Sequence, residues 1–259
     1  PRRRHLPVYI ETVRDRANGS SFVGLAFEAI YQIGPDAADA VPALLDALDD
    51  PNPTIQLAAV HSLKRIGTAD AAAALRVALS HPVANVRYEA LQTLRRIGQP
   101  DGVSFRRLAF DDPKTTIRLA ALTALREAED GETLDIARTL LSDPSPSLRR
   151  AALRIISDPP QPIPPDDELA LIAQIDQATS DPSSAVRLAA IETLCRLAPG
   201  AAAPALARAI KDSNPAVRAA ALRQQSDPSA DGNDTGTPSD QWRQLTGDDE
   251  EIAGEDLQE

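Results

Sequence analysis

Five arginines recur at matching positions in short, similar strings of the sequence. The strings run from HPVANVRYEAL (81–91) to DSNPAVRAAAL (212–222), and the arginines are Arg87, Arg118, Arg149, Arg187 and Arg218. One interpretation is a column of cations that binds an anionic ligand. The other is structural: each guanidinium bonds an aspartate of its own or the adjacent turn and also satisfies backbone carbonyls. Four of the five strings begin with Asp, which favours the structural interpretation. The string of Arg87 begins with His81 instead, so Arg87 is expected to lack a fixed anion as its partner.

A second set of residues could form a binding groove. Residues i, i+4 and i+7 lie on one side of a helix. Rows with this spacing overlap the arginine strings, and they are Leu57–His61–Lys64, Tyr88–Gln92–Arg95 and Leu119–Thr123–Arg126. They place an apolar lane beside a basic lane, to which Arg65 and Arg96 add charge. The alternative is that the apolar members pack between repeats and that the bases are ordinary charges at helix C-termini.

Patterns for catalysis or metal binding are sparse. The chain has one cysteine, Cys195, so neither an intrachain disulfide nor a cysteine-based zinc cluster can form. Its three histidines, His5, His61 and His81, are scattered, and it has no glycine-rich phosphate loop and no G-x-S-x-G motif. We therefore expect no catalytic residue, no metal and no cofactor, and we favour a binding protein over an enzyme.

The negative charge is concentrated at the C-terminal end. The formal net charge is −11, yet residues 227–259 hold eleven of the 38 acids and a single base, Arg243. The rest of the chain is nearly neutral, which argues against nucleic acid as a partner. No segment approaches the roughly 18 apolar residues that span a bilayer, and the basic start lacks the apolar core of a secretory signal. We expect no membrane partner and a cytoplasmic location, and the absence of methionine leaves open a processed product or a fragment.

The strings and the rows require helices that recur along the chain. The apolar residue before each arginine position is Ile55, Val86, Ile117, Leu148, Val186 or Val217, with spacings of 31, 31, 31, 38 and 31 residues, and a weaker copy lies 33 residues earlier at Phe22. Each period predicts two helices, and Gly67 and Gly98 suit the C-terminal caps of second helices. The long spacing contains a proline-rich loop insertion over 157–167. Since neither helix can bury its apolar stripe alone, the sequence predicts an all-α fold, an α-solenoid of about six to seven stacked repeats.

The repeat resembles the HEAT repeat, and its short period is similar to that of the HEAT-like repeats of the phycobilin lyase family, over roughly residues 20–225. In HEAT repeats an aspartate at the turn between the two helices lies six residues before a basic residue of the second helix. The matching pairs are Asp112/Arg118, Asp143/Arg149, Asp181/Arg187 and Asp212/Arg218, whereas Asp50/Gln56 keeps only the acid and His81/Arg87 only the base. The resemblance implies a right-handed superhelix whose second helices, and with them the predicted groove, line the concave face.

Two segments flank the predicted repeats. Residues 1–19 are an irregular N-terminal segment or a partial repeat, and an uncapped end of the solenoid could pair with a second copy of the chain. Residues 226–259 form an acidic tail that is expected to be disordered, and its string DQWRQL (240–245) holds the sole tryptophan. This string could dock on a partner, or it could fold back so that the acidic run screens the basic lane. A tail that only promotes solubility is the simpler alternative.

Two functions fit these patterns. The first is a non-enzymatic scaffold that binds a partner protein of unknown identity through the concave face of its second helices. The second follows from the resemblance, which implies a phycobilin lyase-like chaperone that holds an open-chain tetrapyrrole and assists its attachment to a phycobiliprotein. In that case Tyr88 and the basic lane would suit ring stacking and propionate pairing.

Overall fold

The computed structural model describes residues 3–18 and 22–226. All regular structure in these two ranges is helical, and we number the α-helices in chain order. Their bounds are α1 Leu6–Arg14, α2 Val23–Ile33, α3 Val41–Ala47, α4 Pro53–Ile66, α5 Ala69–Ala78, α6 Ala84–Arg96, α7 Gly102–Asp111, α8 Thr115–Glu127, α9 Thr133–Leu140, α10 Pro146–Ser157, α11 Pro165–Ala178, α12 Ser184–Leu197, α13 Ala203–Ala209 and α14 Pro215–Ser226. None of the helices in the described part of the chain has the length and hydropathy needed to cross a bilayer. The acidic tail and its predicted disorder lie outside the described residues.

Helix α4 illustrates how the sequence sets the helix boundaries. Asn52 precedes the helix in an extended conformation, and its side chain accepts a hydrogen bond from the Thr54 backbone N–H at 3.0 Å. Pro53 takes the first helical position, where the missing N–H leaves no bond unmade. Gly67 ends the helix in the left-handed conformation with φ 63°, and Gly98 after α6 has φ 66°. The predicted glycine caps are therefore confirmed.

The first compact unit extends to Ala124 and is built from stacked helix pairs. The second helices α2, α4 and α6 pack on one another in chain order, and the first helices α3 and α5 pack against them. Helix α1 packs on α2 and α3, so the N-terminal segment supplies a helix to this unit. Its interior is aliphatic, and the fully buried side chains include Ile30, Leu44, Leu63, Leu75 and Leu91.

The second compact unit begins at Leu125 and repeats this arrangement. The second helices α10, α12 and α14 pack in succession, and α9, α11 and α13 pack on the second helix of their own pair. Leu148, Leu153, Ile156 and Val186 are fully buried in its interior. Within each unit the helix pairs described above pack against the next pair, which is the α-solenoid that the repeat predicts.

The proline-rich insertion is shorter than the predicted segment 157–167. Helix α10 ends at Ser157, and α11 already begins at Pro165. Pro165 is tolerated there because the first residue of a helix donates no intrahelical hydrogen bond. The loop insertion in this structure is therefore the stretch between these two helices.

Candidate functional site

The arginines of the recurring strings bond to the protein itself. Nε and Nη2 of Arg187 donate to the two carboxylate oxygens of Asp212, in the next turn, at 2.7 Å each. Its Nη1 donates to the carbonyl oxygens of Asp181 and Pro182 in its own turn. Arg149 bonds Asp181 and the carbonyls of its own turn in the same way. We call each such set of bonds, which joins one repeat to the next, a rung.

Arg87 forms the most buried of the bidentate rungs, and here the sequence-based expectation is wrong. Its Nε and Nη2 donate to Oδ2 and Oδ1 of Asp112 at 2.7 and 3.0 Å. The Arg87 and Asp112 side chains are only 9% and 1% exposed. Arg87 therefore has a fixed anion as its partner. The expectation failed because the carboxylate comes from the following turn, whereas His81, in the turn of Arg87 itself, supplies only its carbonyl oxygen, at 2.8 Å.

The other arginines of the column also bond within their own unit. Arg118 Nε donates to the carbonyl oxygen of Ala109 at 3.0 Å, and Arg218 Nη1 donates to that of Asp212 at 2.7 Å. The turn aspartates have a second role, because Oδ1 of Asp143 accepts the N–H of Ser145 two residues later, at 2.8 Å. The arginines of the column therefore stabilise the packing of the helices by bonding to the turns between them.

The rungs shift the pKa values of the residues that form them. The hydrogen bond from Arg187 is the main cause that lowers the pKa of Asp212, and the same bond raises the pKa of Arg187. Burial acts to raise the pKa of Asp181, but the hydrogen bonds from Arg149 and from the Ser183 N–H outweigh it, so this pKa is also lowered. Both carboxyl groups are thus held in the charged form.

One rung starts from a residue outside the predicted repeats. Arg16 Nε donates to Oδ2 of Asp50 at 2.8 Å, and Nη2 donates to the carbonyl oxygen of Asp46 at 2.7 Å. Gln56 holds the arginine position of the Asp50 turn, and its Nε2 donates to the Asp50 carbonyl oxygen at 2.7 Å. The sequence offered one signal for this rung, because Arg16 precedes Asp50 by 34 residues, close to the 32 that separate Arg149 and Asp181.

The next rung would join Gln56 to residue 81, and there both ionic groups are replaced. His81 stands where the other turns have aspartate, and its Nδ1 accepts the Val83 N–H at 3.1 Å, as the aspartates accept theirs. Its Nε2 lies 3.5 Å from Oδ1 of the exposed Asp49. Oε1 of Gln56 is buried and has no hydrogen-bond partner within the described residues.

A pocket of about 690 Å³ opens between α2, α4 and α6, in the first unit. Its volume is in the range of sites that hold small ligands or peptide side chains. Two of the predicted groove residues, His61 and Lys64, line it, as do Arg65 and Arg96. The remaining lining residues are Gly24, Phe27, Glu28, Tyr31, Ala58, Ser62 and Ile97. The groove residues outside this lining are Leu57, Tyr88, Gln92, Arg95, Leu119, Thr123 and Arg126.

Gly24 opens the pocket. In the register that aligns Phe22 with Ile55, Gly24 occupies the position of Leu57 and Tyr88 in the next two repeats. A Cβ atom at Gly24 would meet no atom within 4 Å. The backbone does not require a glycine there, because Gly24 is not among the glycines with positive φ. The missing side chain therefore leaves space on the face of α2 that carries Phe27 and Tyr31.

Three cations border the aromatic wall of this pocket. Lys64 and Arg65 come from α4 and Arg96 from α6, and none of the three forms an ion pair with another described residue. The Arg65 guanidinium carbon lies 5.9 Å from the centroid of the Tyr31 ring, a cation–π arrangement. Tyr31 is itself 39% exposed, so its ring remains accessible from solvent. These cations are available to an anionic group that enters beside the ring.

Residues around the pocket lower the pKa of a neighbouring acid. The pKa of Glu89 is lowered, first by a hydrogen bond with His61 and then, against the effect of burial, by the charges of His61, Lys64 and Arg96. His61 Nε2 lies 3.8 Å from Oε2 of Glu89. The pocket thus combines three cations and one acid, Glu28, with an apolar wall, and its cations suit an anion attached to a flat apolar group.

Comparisons with known proteins agree with this architecture. A sequence profile of HEAT repeats matches residues 41–105 and 170–226. No curated protein sequence matches the chain. Among solved structures, Cex1p is 16% identical, with a TM-score of 0.58 over 85% of this chain and 52% of Cex1p. YibA of E. coli is 18% identical, with a TM-score of 0.51 over 79% of this chain and 74% of YibA.

A further similar structure is the complex of CpcE and CpcF of phycocyanin lyase from Nostoc sp. PCC7120. It is 19% identical, with a TM-score of 0.42 over 85% of this chain and 86% of that chain. At such identities a structural likeness shows the fold alone. The stacked helix pairs and the two matched ranges together confirm the resemblance to HEAT repeats: the described helices form an α-solenoid, and residues 41–105 and 170–226 match HEAT repeats.

Proposed function

We propose that the chain is a non-enzymatic binding protein that takes a segment of a partner protein on the surface of α2, α4 and α6. The observation that carries this proposal is the pocket, which combines an aromatic wall of Phe27 and Tyr31 with three cations. Aromatic residues and arginine are the residue types that dominate binding energy at protein interfaces. The remaining groove residues, such as Tyr88 and Arg95, are proposed as flanking contacts.

The use of the other arginines supports this assignment. Arg87, Arg149 and Arg187 donate their hydrogen bonds to the aspartates and carbonyls of rungs within the fold. Lys64, Arg65 and Arg96 have no ion-pair partner within the described ranges, and they line the same pocket as the accessible Tyr31 ring. The tetrapyrrole alternative rests on the resemblance, and no contact in the pocket favours it over a peptide segment, so we do not advance it as a second function.

Photo-cross-linking from the pocket wall tests the proposal. Tyr31 is replaced by p-benzoylphenylalanine, which keeps the first aromatic ring, and adducts formed in cells of the source organism are identified by mass spectrometry. We expect one dominant protein adduct, and we expect Gly24→Leu to reduce its yield at least tenfold because the leucine fills the pocket. A leucine at this helical position is more favourable than glycine by up to about 1 kcal/mol, so the variant should fold.

The matched control is Gly200→Leu. Gly200 also has no atom within 4 Å of a Cβ position, and it lies outside the pocket lining. This variant adds the same side chain and should leave the adduct yield unchanged. The proposal is wrong if Gly24→Leu keeps the full yield, or if no protein adduct forms at Tyr31.

A further inference from the structure

The proline-rich loop between α10 and α11 is an addition that the stacking of the helix pairs does not require. Four of the five repeat spacings are 31 residues, and the spacing that contains this loop is 38. Residues 161–165, which end the loop and begin α11, read QPIPP. The string holds two X–Pro pairs, Gln161–Pro162 and Pro164–Pro165, separated by one residue. Proline-rich strings with this PxxP spacing are a recurring recognition motif.

The prolines restrict the backbone conformation of this string. A proline holds φ near about −65°, and a residue that precedes a proline is disfavoured in the α region. Gln161, Ile163 and Pro164 each precede a proline, so the string is biased towards the polyproline II conformation. Pro164 has φ −60° and ψ 136°, close to the values of that conformation. The string is therefore a short polyproline II segment before any partner is bound.

The exposure of the segment follows the three-residue period of a polyproline II helix. Pro160 and Ile163, three residues apart, are half-buried, whereas both residues of each X–Pro pair are exposed. Because the helix repeats after three residues, the two pairs lie on the same side of it, and Ile163 lies on the other. The segment thus presents both X–Pro pairs to solvent.

Two ion pairs hold the loop at its ends, and all four members belong to the second compact unit. Arg126 Nη2 lies 3.2 Å from Oδ2 of Asp158, at the start of the loop. Arg138 Nη1 lies 2.9 Å from Oδ1 of Asp167, in the first turn of α11. The segment between these two pairs is thus restrained while its X–Pro pairs are exposed. Binding of a restrained segment orders fewer groups, so more of the contact energy appears as affinity.

We propose that this loop is an interaction surface for a partner domain that recognises polyproline II peptides. Such a domain has a groove lined by aromatic side chains, and the exposed pairs Gln161–Pro162 and Pro164–Pro165 pack into that groove. The contact is favourable because the segment already has the bound conformation. This interaction goes beyond the proposed binding site on α2, α4 and α6 and does not depend on it.

The charges beside the second pair define the edge of the partner groove. Asp166 and Glu168 are both exposed, and neither forms an ion pair with another described residue. Exposed acids need no partner, but a groove with cations at its edge associates with them more readily, and salt weakens this attraction. We therefore expect a groove that is aromatic in its centre and basic at its edge.

Titration of the full-length chain with isolated proline-recognition domains tests the proposal. The probes are purified SH3, WW and EVH1 domains with basic groove edges, and affinity is measured by isothermal titration calorimetry. We expect at least one probe to bind with a dissociation constant below about 100 μM. Pro162→Ala and Pro165→Ala should each weaken binding at least about fivefold, because each removes a ring from an exposed pair. Replacing the groove tryptophan of the bound probe by alanine should abolish binding.

The matched control is Pro53→Ala. Pro53 is an exposed proline at the first position of α4, as Pro165 is at the first position of α11, and it lies outside the loop. This variant loses the same ring and should bind the probe with the affinity of the parent. Replacing Asp166 by Asn and Glu168 by Gln should weaken binding at about 50 mM salt and less so at about 500 mM. Equal affinities at the lower salt concentration would refute the basic groove edge.

Three results would overturn the inference. Every probe could bind more weakly than about 1 mM, the double variant Pro162→Ala with Pro165→Ala could keep the parent affinity, or Pro53→Ala could lower the affinity as much as Pro165→Ala does. Failure here is separable from failure of the proposed function. Gly24→Leu, which should reduce the adduct yield at Tyr31, should leave the affinity for the probe unchanged.

Discussion

Two neighbouring turns of the first unit meet the same requirement with different chemistry. At the turn after α7, Asp112 accepts the Lys114 N–H and binds Arg87 of the preceding repeat through both carboxylate oxygens. At the turn after α5, His81 accepts the Val83 N–H with Nδ1, and Gln56 holds the place of the arginine. His81 and Asp112 are both buried, and the same local bond orders both turns. The comparison shows that the turn requires an acceptor for one N–H, and that the ionic bond between repeats is a separate addition.

The two turns also differ in how much stability a single substitution would remove. Removing one partner from a buried ion pair leaves an uncompensated charge, whereas a neutral pair has no charge to expose. The neutral residues Gln56 and His81 should therefore tolerate change at one position better than the Arg87–Asp112 pair does. They form no ionic bond between repeats, and Oε1 of Gln56 is left buried without a partner in the described ranges.

The largest effect is expected from Asp112→Ala. This change leaves the buried Arg87 guanidinium without a carboxylate partner, and it also removes the acceptor of the Lys114 N–H. We expect a loss of about 3–5 kcal/mol in the free energy of unfolding, measured by urea denaturation. The matched control is Asp111→Ala, an exposed neighbour, which should change the value by less than about 0.5 kcal/mol. A loss below about 1 kcal/mol for Asp112→Ala would show that charge in this rung does not matter.

Replacing the neutral residues Gln56 and His81 by the two members of an ionic rung sharpens the comparison. Gln56→Arg alone buries a cation opposite His81, and His81→Asp alone buries a carboxylate opposite Gln56, so each should cost about 1–3 kcal/mol. The double variant recreates the pair found at Arg87 and Asp112. We expect it to recover most of the loss, with a coupling energy of at least about 1 kcal/mol in a double-mutant cycle. Additive effects would mean that these two positions do not form a rung.

A smaller effect is expected from acid, in the second unit. The pKa of Asp212 is lowered by its bond to Arg187, so its contribution to stability is complete above the ordinary aspartate pKa of about 3.9 and is lost as the pH falls through the lower value of the folded state. We expect stability to fall by on the order of 1 kcal/mol over this range through Asp212. Thermal unfolding between pH 5 and 2 should show a shallower decline for Asp212→Asn than for the parent. Equal slopes would refute the assignment.

The repeat architecture could be predicted because it depends on local patterns. The period, the glycine caps at Gly67 and Gly98 and the apolar stripes all follow from spacing and backbone conformation. The rung partners could be predicted only by type, since an aspartate six residues before an arginine suggests a bond within one turn. The structure shows that the carboxylates of Asp112, Asp181 and Asp212 bind the arginine of the preceding repeat.

The pocket escaped prediction for a different reason. The predicted rows consist of side chains, beginning at Leu57, whereas Gly24, which lines the pocket, has no side chain. Its aromatic wall, Phe27 and Tyr31, belongs to the irregular first copy of the repeat. Arg16 was missed in the same part of the chain, because it lies in a 3₁₀ segment before the first recognisable copy.

The direction of the rungs determines which repeats can be duplicated. The repeat with Asp181 and Arg187 receives an arginine from the repeat before it and gives one to the repeat after it. A second copy inserted in tandem would find a matching partner on both sides. The repeat with His81 and Arg87 receives no arginine and gives one. Its tandem copy would place a buried Arg87 against a histidine. Duplication of a single repeat therefore preserves the ionic bonds at the repeat with Asp181 and breaks one at the repeat with His81.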